Sequence, residues 1–373
     1  MKLFIKTLFL IIIAVGGYLT YLYGTKPTSI YPYPYILKST EIKSLASMET
    51  ADVLIIGDRM ASHLKKINNE LVKNASPGFS QDLKILNWGE KNEGLHRTIK
   101  KIKALKAVPQ LMIYHGASEE FYEKKFYLEE NKNLDANLKK YNDPKVLSSI
   151  ISFPPLSKYF YSYERYILLE SKLVKNIVEL PVIKKQIQLE MGYKIFQGEL
   201  DELISLSKEK RFKLFLITTP INLSIPPKET CTNSLSNSLA AEHRTLEKMI
   251  KAGQTKQAFN ELKKIGETIP GNAHNYFLLG LSLKMMGKFQ EARAILEQGT
   301  AFDCFAWRSN IVFNNIIRNT AYLQKIPLID FDQIVNEHFG HKQLFEDEIF
   351  PLKELYSLLV NKLAPKINIF FKD

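Results

Sequence analysis

The chain has 373 residues, of which 45% are hydrophobic and 24% are charged, and this composition excludes a wholly disordered protein. Lysine and arginine number 51 against 39 acidic residues, which gives a formal net charge of +12. Because the lysines are scattered along amphipathic stretches and no nucleic-acid motif is visible, we expect a general attraction to anionic envelope surfaces and no nucleic-acid partner.

The N-terminus predicts a membrane anchor. Lys2 and Lys6 precede an apolar run from Leu8 to about Tyr23, which approaches the length needed to cross a bilayer. The basic residues predict that this end stays in the cytoplasm and that the rest is exported. A cleaved signal peptide is the alternative, although no small-x-small cleavage site follows the run. We therefore expect residues 1–24 to form a single-pass anchor in the inner membrane, with the bulk of the chain in the periplasm.

An interrupted α/β domain follows a linker at residues 25–45, which is rich in proline and tyrosine. Short apolar runs separated by helical patterns predict a doubly wound parallel sheet. The runs are Asp52–Gly57, Leu83–Trp88, Gln110–His115, Lys213–Thr218 and Ile326–Asp330. We expect the domain to comprise residues 46–120, 185–230 and 307–373, with any ligand beyond the carboxyl ends of the strands.

Two segments interrupt this domain. Residues 121–184 lose the strand pattern and carry an aromatic cluster at Tyr159–Tyr166, so we expect a helical insert that packs on the main domain or grips a glycan or lipid chain. Residues 239–306 repeat at a spacing of 34, with Gly253 and Gly287 in equivalent places. This spacing resembles the tetratricopeptide repeat and implies a protein partner. Two repeats are too few to stand alone, so this helical pair should pack on the α/β domain.

The sequence gives little reason to expect a metal or a cofactor. Cys231 and Cys304 lie far apart and lack the spacing of a zinc site. No Walker loop and no dinucleotide-binding glycine motif occurs. If the domain is exported, an oxidising compartment would permit a disulfide between the two cysteines; two unpaired, partly buried cysteines are the alternative.

Four separated blocks resemble the SGNH hydrolase family, specifically its members with tetratricopeptide inserts. The blocks are Asp52–Arg59, Asn87–Gly89, Ile113–Glu119 and Leu344–Pro351. The resemblance covers roughly residues 50 to 365. It implies a flavodoxin-like, SGNH-type α/β fold with an inserted all-α helical pair, behind the predicted transmembrane helix. The family's chemistry implies a serine nucleophile, a histidine base oriented by an aspartate, and an oxyanion hole built from a glycine amide and an asparagine.

The residues at the family's catalytic positions depart from this pattern. Arg59 stands in place of the nucleophile, Ser118 in place of the asparagine and Phe350 in place of the base, whereas Gly89 and Asp347 match. Arginine cannot accept an acyl group and phenylalanine cannot move a proton. Since loss of the nucleophile or the base costs several powers of ten in rate, we predict a pseudo-hydrolase that acts as a binding or scaffold module.

Polar neighbours leave alternatives open. The candidates near the carboxyl ends of the strands are Asp58, His115 and Glu119. Ser118 and His115 could form the nucleophile and base of an esterase or acyltransferase that acts on acylated envelope polysaccharide, peptidoglycan or lipid. Alternatively, Arg59 forms ion pairs with Asp58, Glu119 or Asp347, because a guanidinium carries five donors in a fixed fork. A third alternative is an assembly factor in which both modules only bind protein.

Overall fold

The computed structural model describes residues 2–25, 37–123, 182–228, 237–303 and 307–372. The chain divides into two units: Met1–Ile36 with Lys124–Val178, and Leu37–Glu123 with Glu179–Asp373. Most of the predicted insert at residues 121–184, including its aromatic cluster, lies outside the described residues, as do Cys231 and Cys304. Both alternatives for these cysteines, a disulfide or two unpaired thiols, therefore stay predictions.

Helix α1 (Lys2–Thr25) is the described part of the first unit. Among the residues that the structure describes, no helix has both the length and the apolar character needed to cross a membrane. The transmembrane helix predicted for residues 1–24 therefore has no support from the described residues.

The second unit contains a five-stranded parallel sheet. The strands are β1 (Val53–Ile56), β2 (Ile85–Asn87), β3 (Leu111–His115), β4 (Lys213–Ile217) and β5 (Leu328–Ile329). Their order is β2-β1-β3-β4-β5, which is the flavodoxin-like order, and Val53 pairs with Ile85 on one side and Leu111 on the other. The predicted doubly wound sheet is confirmed, and each strand lies within its predicted run.

Helices cover both faces of this sheet, which explains why its strands are nearly continuous apolar runs. Around the sheet lie α2 (Ser39–Met48), α3 (Arg59–His63), α4 (Asn68–Ala75), α5 (Leu95–Ala104), α6 (Val182–Lys210), α11 (Ile311–Gln324), α12 (Phe331–Asn336) and α13 (Lys353–Lys372). Alternate residues of β1 face opposite ways. Val53 packs in one core with residues of α4 and α13, whereas Leu54 packs in the other with residues of α5, α6 and α11.

The segment predicted as helical repeats forms two successive pairs of helices. They are α7 (Asn237–Lys251) with α8 (Thr255–Thr268), and α9 (Ala273–Met285) with α10 (Phe289–Thr300). Gly253 and Gly287 form the equivalent turns with φ of 83° and 76°, values that favour glycine. Leu283 and Leu296 of the second pair belong to the same core as β1, so this pair packs on the α/β domain. Its assignment to the tetratricopeptide class stays a prediction.

Candidate functional site

The predicted site lies where β1 and β3 end, at the carboxyl edge of the sheet. Gly57 follows β1 with φ of 128°, and a Cβ at this position would overlap the carbonyl oxygen of His115. Only glycine therefore allows the two strand ends to approach so closely. Asp58 then caps α3 by accepting a hydrogen bond from the N–H of Met60 at 2.8 Å.

The carboxylate of Asp58 joins the two strand ends. Its Oδ2 accepts hydrogen bonds from the N–H of Ser118 at 2.6 Å, the hydroxyl of Ser118 at 2.8 Å and the N–H of Glu119 at 3.1 Å. Burial and the neighbouring Glu119 carboxylate raise the pKa of Asp58 to about 7, while the donors from Met60 and Ser118 act in the opposite direction. Asp58 thus fixes the loop that follows β3.

Arg59 occupies the space where the family resemblance places the nucleophile. Its Nε donates to Ser118 Oγ at 3.3 Å, and its Nη2 donates to the carbonyl oxygens of Ser118 at 3.2 Å and Trp307 at 2.5 Å. Arg59 Nε also lies 3.5 Å from Glu119 Oε1. The residue is only 8% exposed. Of the three acids considered as its partners, Glu119 forms the ion pair.

Glu119 ties this cluster to the loop after β2. Its Oε2 accepts hydrogen bonds from the backbone N–H of Arg59 at 3.2 Å and of Asn92 at 2.6 Å. Burial raises the pKa of Glu119, and the charge of Arg59 acts against that rise. The sequence analysis did not identify Asn92, because it contributes a backbone N–H that almost any residue could supply. The structure gives Asn92 a φ of 60°, and the sequence signal for such a turn was the asparagine itself, because asparagine tolerates positive φ well.

Gly89, at the position of the oxyanion glycine, uses its amide inside the protein. The N–H of Gly89 donates to Asn87 Oδ1 at 3.0 Å, and Asn87 Nδ2 donates to the carbonyl oxygen of Ala61 at 2.6 Å. A Cβ on Gly89 would lie 2.5 Å from Ala61 Cβ and 2.8 Å from the backbone nitrogen of Ser62. Helix α3 therefore packs directly on this glycine, and its amide is not directed at a vacant position for an oxyanion.

Asp347 and Phe350 lie together in a separate loop. Asp347 Oδ1 accepts hydrogen bonds from the N–H groups of Ile349 at 2.7 Å and Phe350 at 2.6 Å. Asp347 is exposed and caps this turn, and it does not form the ion pair considered with Arg59. The ring of Phe350 stacks on His63, with 4.1 Å between ring centroids.

His63 lies next to Phe350, the residue at the predicted base position. This histidine was not among the residues predicted from the sequence. It ends α3, its ring centroid lies 5.0 Å from that of Tyr356, and its Nε2 is 3.7 Å from Glu346 Oε1. Burial lowers the pKa of His63. In the described part of the chain, no serine hydroxyl is hydrogen-bonded to this imidazole. Its position one helical turn after Arg59 was the signal that could have identified it.

His115 does not act with Ser118. It ends β3 and is fully buried, with its ring 6.0 Å from that of Phe331. Burial lowers the pKa of His115 to about 3, so the ring is neutral at pH 7. The Ser118 hydroxyl instead lies between Asp58 and Arg59. The nucleophile-and-base pair of the esterase alternative is therefore not formed.

The described residues around Arg59 include no group of metal-ligating side chains. Within these ranges no three acidic, histidine or cysteine side chains are grouped to hold a metal ion. A shallow groove of about 430 Å³ is lined by residues that include Asn69, Lys73 and Asp82. These residues belong to α4 and to the chain that enters β2, so none of the predicted site residues lines this groove.

The chain was also compared with known proteins. No family model matches it, and no curated protein matches it. A GDSL-like lipase from Bacteroides thetaiotaomicron has a similar solved structure, with a TM-score of 0.38 and 10% identity over 88% of this chain and 94% of that chain. A predicted acylhydrolase from Bacteroides fragilis has a TM-score of 0.35 and 10% identity over the same shares. The first description names the hydrolase class that the four sequence blocks resemble. Because both TM-scores are below 0.5, these similarities carry no argument about activity, and the fold rests on the strand order given above.

Proposed function

We propose that the chain is a hydrolase-like protein without hydrolase activity, which acts as a binding or scaffold module in the cell envelope. In this proposal the position of the nucleophile serves as a structural junction. The chain's own contacts and its sequence resemblance support this view.

The observation that carries the proposal is the set of contacts made by Arg59. Its guanidinium is bonded to Ser118 and Trp307 and paired with Glu119. A serine at this position would need open space beside it for an acyl carbon. Here the bulky, permanently charged side chain of Arg59 fills this space, and the residue is buried.

Two further features weigh against catalysis. The Gly89 amide is bonded to Asn87, so one expected oxyanion donor is already engaged. Phe350 stands where the resemblance places the base, and its stacked neighbour His63 has no hydroxyl partner among the described residues. A triad needs the nucleophile, base and donors to converge on one reacting atom.

An esterase or acyltransferase is the second candidate, and one observation favours it. Ser118 Oγ donates to Asp58 at 2.8 Å, and the raised pKa of about 7 for Asp58 suits a general base. However, Ser118 is only 2% exposed, and Arg59 Nε lies against its hydroxyl. An acyl group on polysaccharide, peptidoglycan or lipid could reach this oxygen only if Arg59 moved.

The helical pairs supply the binding part of the proposal. Helices α7 to α10 form consecutive hairpins, an architecture whose extended surfaces suit protein partners. A glycan or lipid ligand held by the segment at residues 121–184 remains a further proposal. We also propose that residues 1–24 attach the protein to the inner membrane, as the basic and apolar pattern of the N-terminus predicts.

Turnover of simple aryl esters by the full-length protein tests the proposal. We expect the turnover rate of the wild type to equal the rates of the matched variants Ser118→Ala and Asp347→Ala. In the proposal, neither Ser118 nor Asp347 takes part in catalysis. Wild-type turnover well above that of Ser118→Ala would contradict the proposal and favour the second candidate.

A further inference from the structure

Three helices end together at the amino edge of the sheet, opposite the site described above. Lys210, at the end of α6, donates from Nζ to the carbonyl oxygen of Leu105 at 2.7 Å, just beyond the end of α5. Lys208 Nζ donates to Gln324 Oε1, at the end of α11, at 3.4 Å. These contacts join the three helix ends into one continuous surface, which we call the amino-edge surface.

The amino-edge surface is strongly basic. Its basic side chains, all at least partly exposed, are Lys103, Lys106, Lys208, Lys210, Arg211, Lys213 and Lys325. The neighbouring acids are Glu49, Glu202 and Glu209, and Glu202 is already paired with Lys103 at 2.5 Å. Basic residues at helix ends complement the helix dipole, but this excess also creates a positive field that attracts an anionic partner.

Two large side chains project from this basic surface where α11 ends. Tyr322 is 85% exposed and Leu323 is 73% exposed, in the last turn of α11. The preceding residue, Ala321, is buried and holds the helix on the core. The fold therefore has no packing role for Tyr322 and Leu323, although burying both would be favourable.

We propose that the amino-edge surface docks on an anionic lipid bilayer. Tyrosine has an apolar ring with a polar tip and is typical of the bilayer interface, and a neighbouring leucine adds apolar area for shallow insertion. The surrounding lysines and arginine would face lipid phosphates. Nucleic acid fits less well, because a single exposed aromatic offers no row of stacking platforms. This proposal does not depend on the absence of hydrolase activity.

A tryptophan at position 322 reports on this surface alone. In the full-length variant Tyr322→Trp, the native residues Trp88 and Trp307 are each only 3% exposed, so a change in emission reports mainly on position 322. We expect a blue shift and quenching by brominated lipid on vesicles of phosphatidylcholine with phosphatidylglycerol. Vesicles of phosphatidylcholine alone should give neither the blue shift nor the quenching. High salt should abolish both signals on the anionic vesicles, because it screens the attraction between the basic side chains and the lipid phosphates.

Charge variants in the Tyr322→Trp background test the basic residues. The triple substitution Lys208→Gln, Arg211→Gln and Lys325→Gln should weaken the vesicle response about tenfold or more. The matched control Lys248→Gln, Lys251→Gln and Lys264→Gln removes the same charge from exposed positions of the helical pairs and should leave the response unchanged.

Three results would overturn the proposal. One is unchanged emission although the protein sediments with anionic vesicles, because membrane contact would then lie elsewhere. Another is equal responses to charged and neutral vesicles. The third is a blue shift with a soluble acidic polymer or nucleic acid but not with vesicles, which would assign this surface to an acidic macromolecule.

Discussion

Arg59 donates a hydrogen bond to the carbonyl oxygen of Trp307 at 2.5 Å, across 248 positions of sequence. The first residue of α3 is thereby bonded to the chain that returns from the helical pairs. Trp307 is itself flanked by cations, with Lys228 Nζ 3.9 Å and Arg308 Cζ 4.9 Å from its ring centroid. Arg59 thus connects the sheet edge with the end of the repeat insert.

Replacing Arg59 should destabilise the protein. Arg59→Met leaves Glu119 buried without its cation, and breaking such a pair typically costs about 3–5 kcal/mol. Because Glu119 can then take up a proton, the loss should be smaller at pH 5 than at pH 8. Urea unfolding at both pH values measures this difference. Lys66→Met is the matched control, because the Lys66 side chain is 66% exposed, and a loss equal to the control's would contradict the structural role of Arg59.

Gly89 should not tolerate a methyl group. Gly89→Ala places a Cβ 2.5 Å from that of Ala61, so α3 must shift, and we expect a loss of about 1–3 kcal/mol. In the matched control Gly198→Ala, the new Cβ meets nothing within 4 Å inside α6. The control should stabilise the protein by up to about 1 kcal/mol, because alanine is the better helix former. Thermal unfolding of both variants measures these changes in stability. Equal changes for Gly89→Ala and Gly198→Ala would contradict the close packing of α3 on Gly89.

His115 should make the fold sensitive to acid. Its pKa falls from 6.5 to about 3 on folding, so the unfolded chain binds the proton more readily. The stability that this group contributes is complete above pH 6.5 and decreases as the pH falls towards 3, by about 1.4 kcal/mol per pH unit. His115→Leu should therefore reduce the dependence of the unfolding free energy on pH between 6.5 and 5. An unchanged slope would contradict the buried, neutral state of this ring.

Much of the fold could be predicted from the sequence, because buried parallel strands are short apolar runs. All five strands lie inside predicted runs, and the turns at Gly253 and Gly287 lie at the predicted spacing. The site was less predictable. Sequence blocks placed Arg59 near Glu119, but the contacts to the Asn92 amide and the Trp307 carbonyl use backbone atoms, which leave no signature in residue type. The pairing of His63 with Phe350 depends on how a distant loop folds back on α3.

Attachment to the inner membrane can be tested in living cells. Alkaline phosphatase fused after residue 373 should be active, because the basic residues at the N-terminus predict export of everything that follows residues 1–24. The protein should also remain with membranes in alkaline carbonate. The control Lys2→Glu with Lys6→Glu should lower the phosphatase activity. A fully active fusion that carbonate releases would contradict the anchor and favour a cleaved signal peptide.

The most direct test of the central claim is labelling by a fluorophosphonate probe, which reacts with activated serines whatever their substrate. The native full-length protein should remain unlabelled, and its Arg59→Ser variant should also remain unlabelled because, among the described residues, no histidine is hydrogen-bonded to Arg59 or to the neighbouring Ser118. Ser118→Ala is the matched control, because the Ser118 hydroxyl donates a hydrogen bond to the carboxylate of Asp58. Labelling of the native protein that disappears in Ser118→Ala would show that Ser118 is an activated nucleophile and would contradict the account of a closed, non-catalytic site.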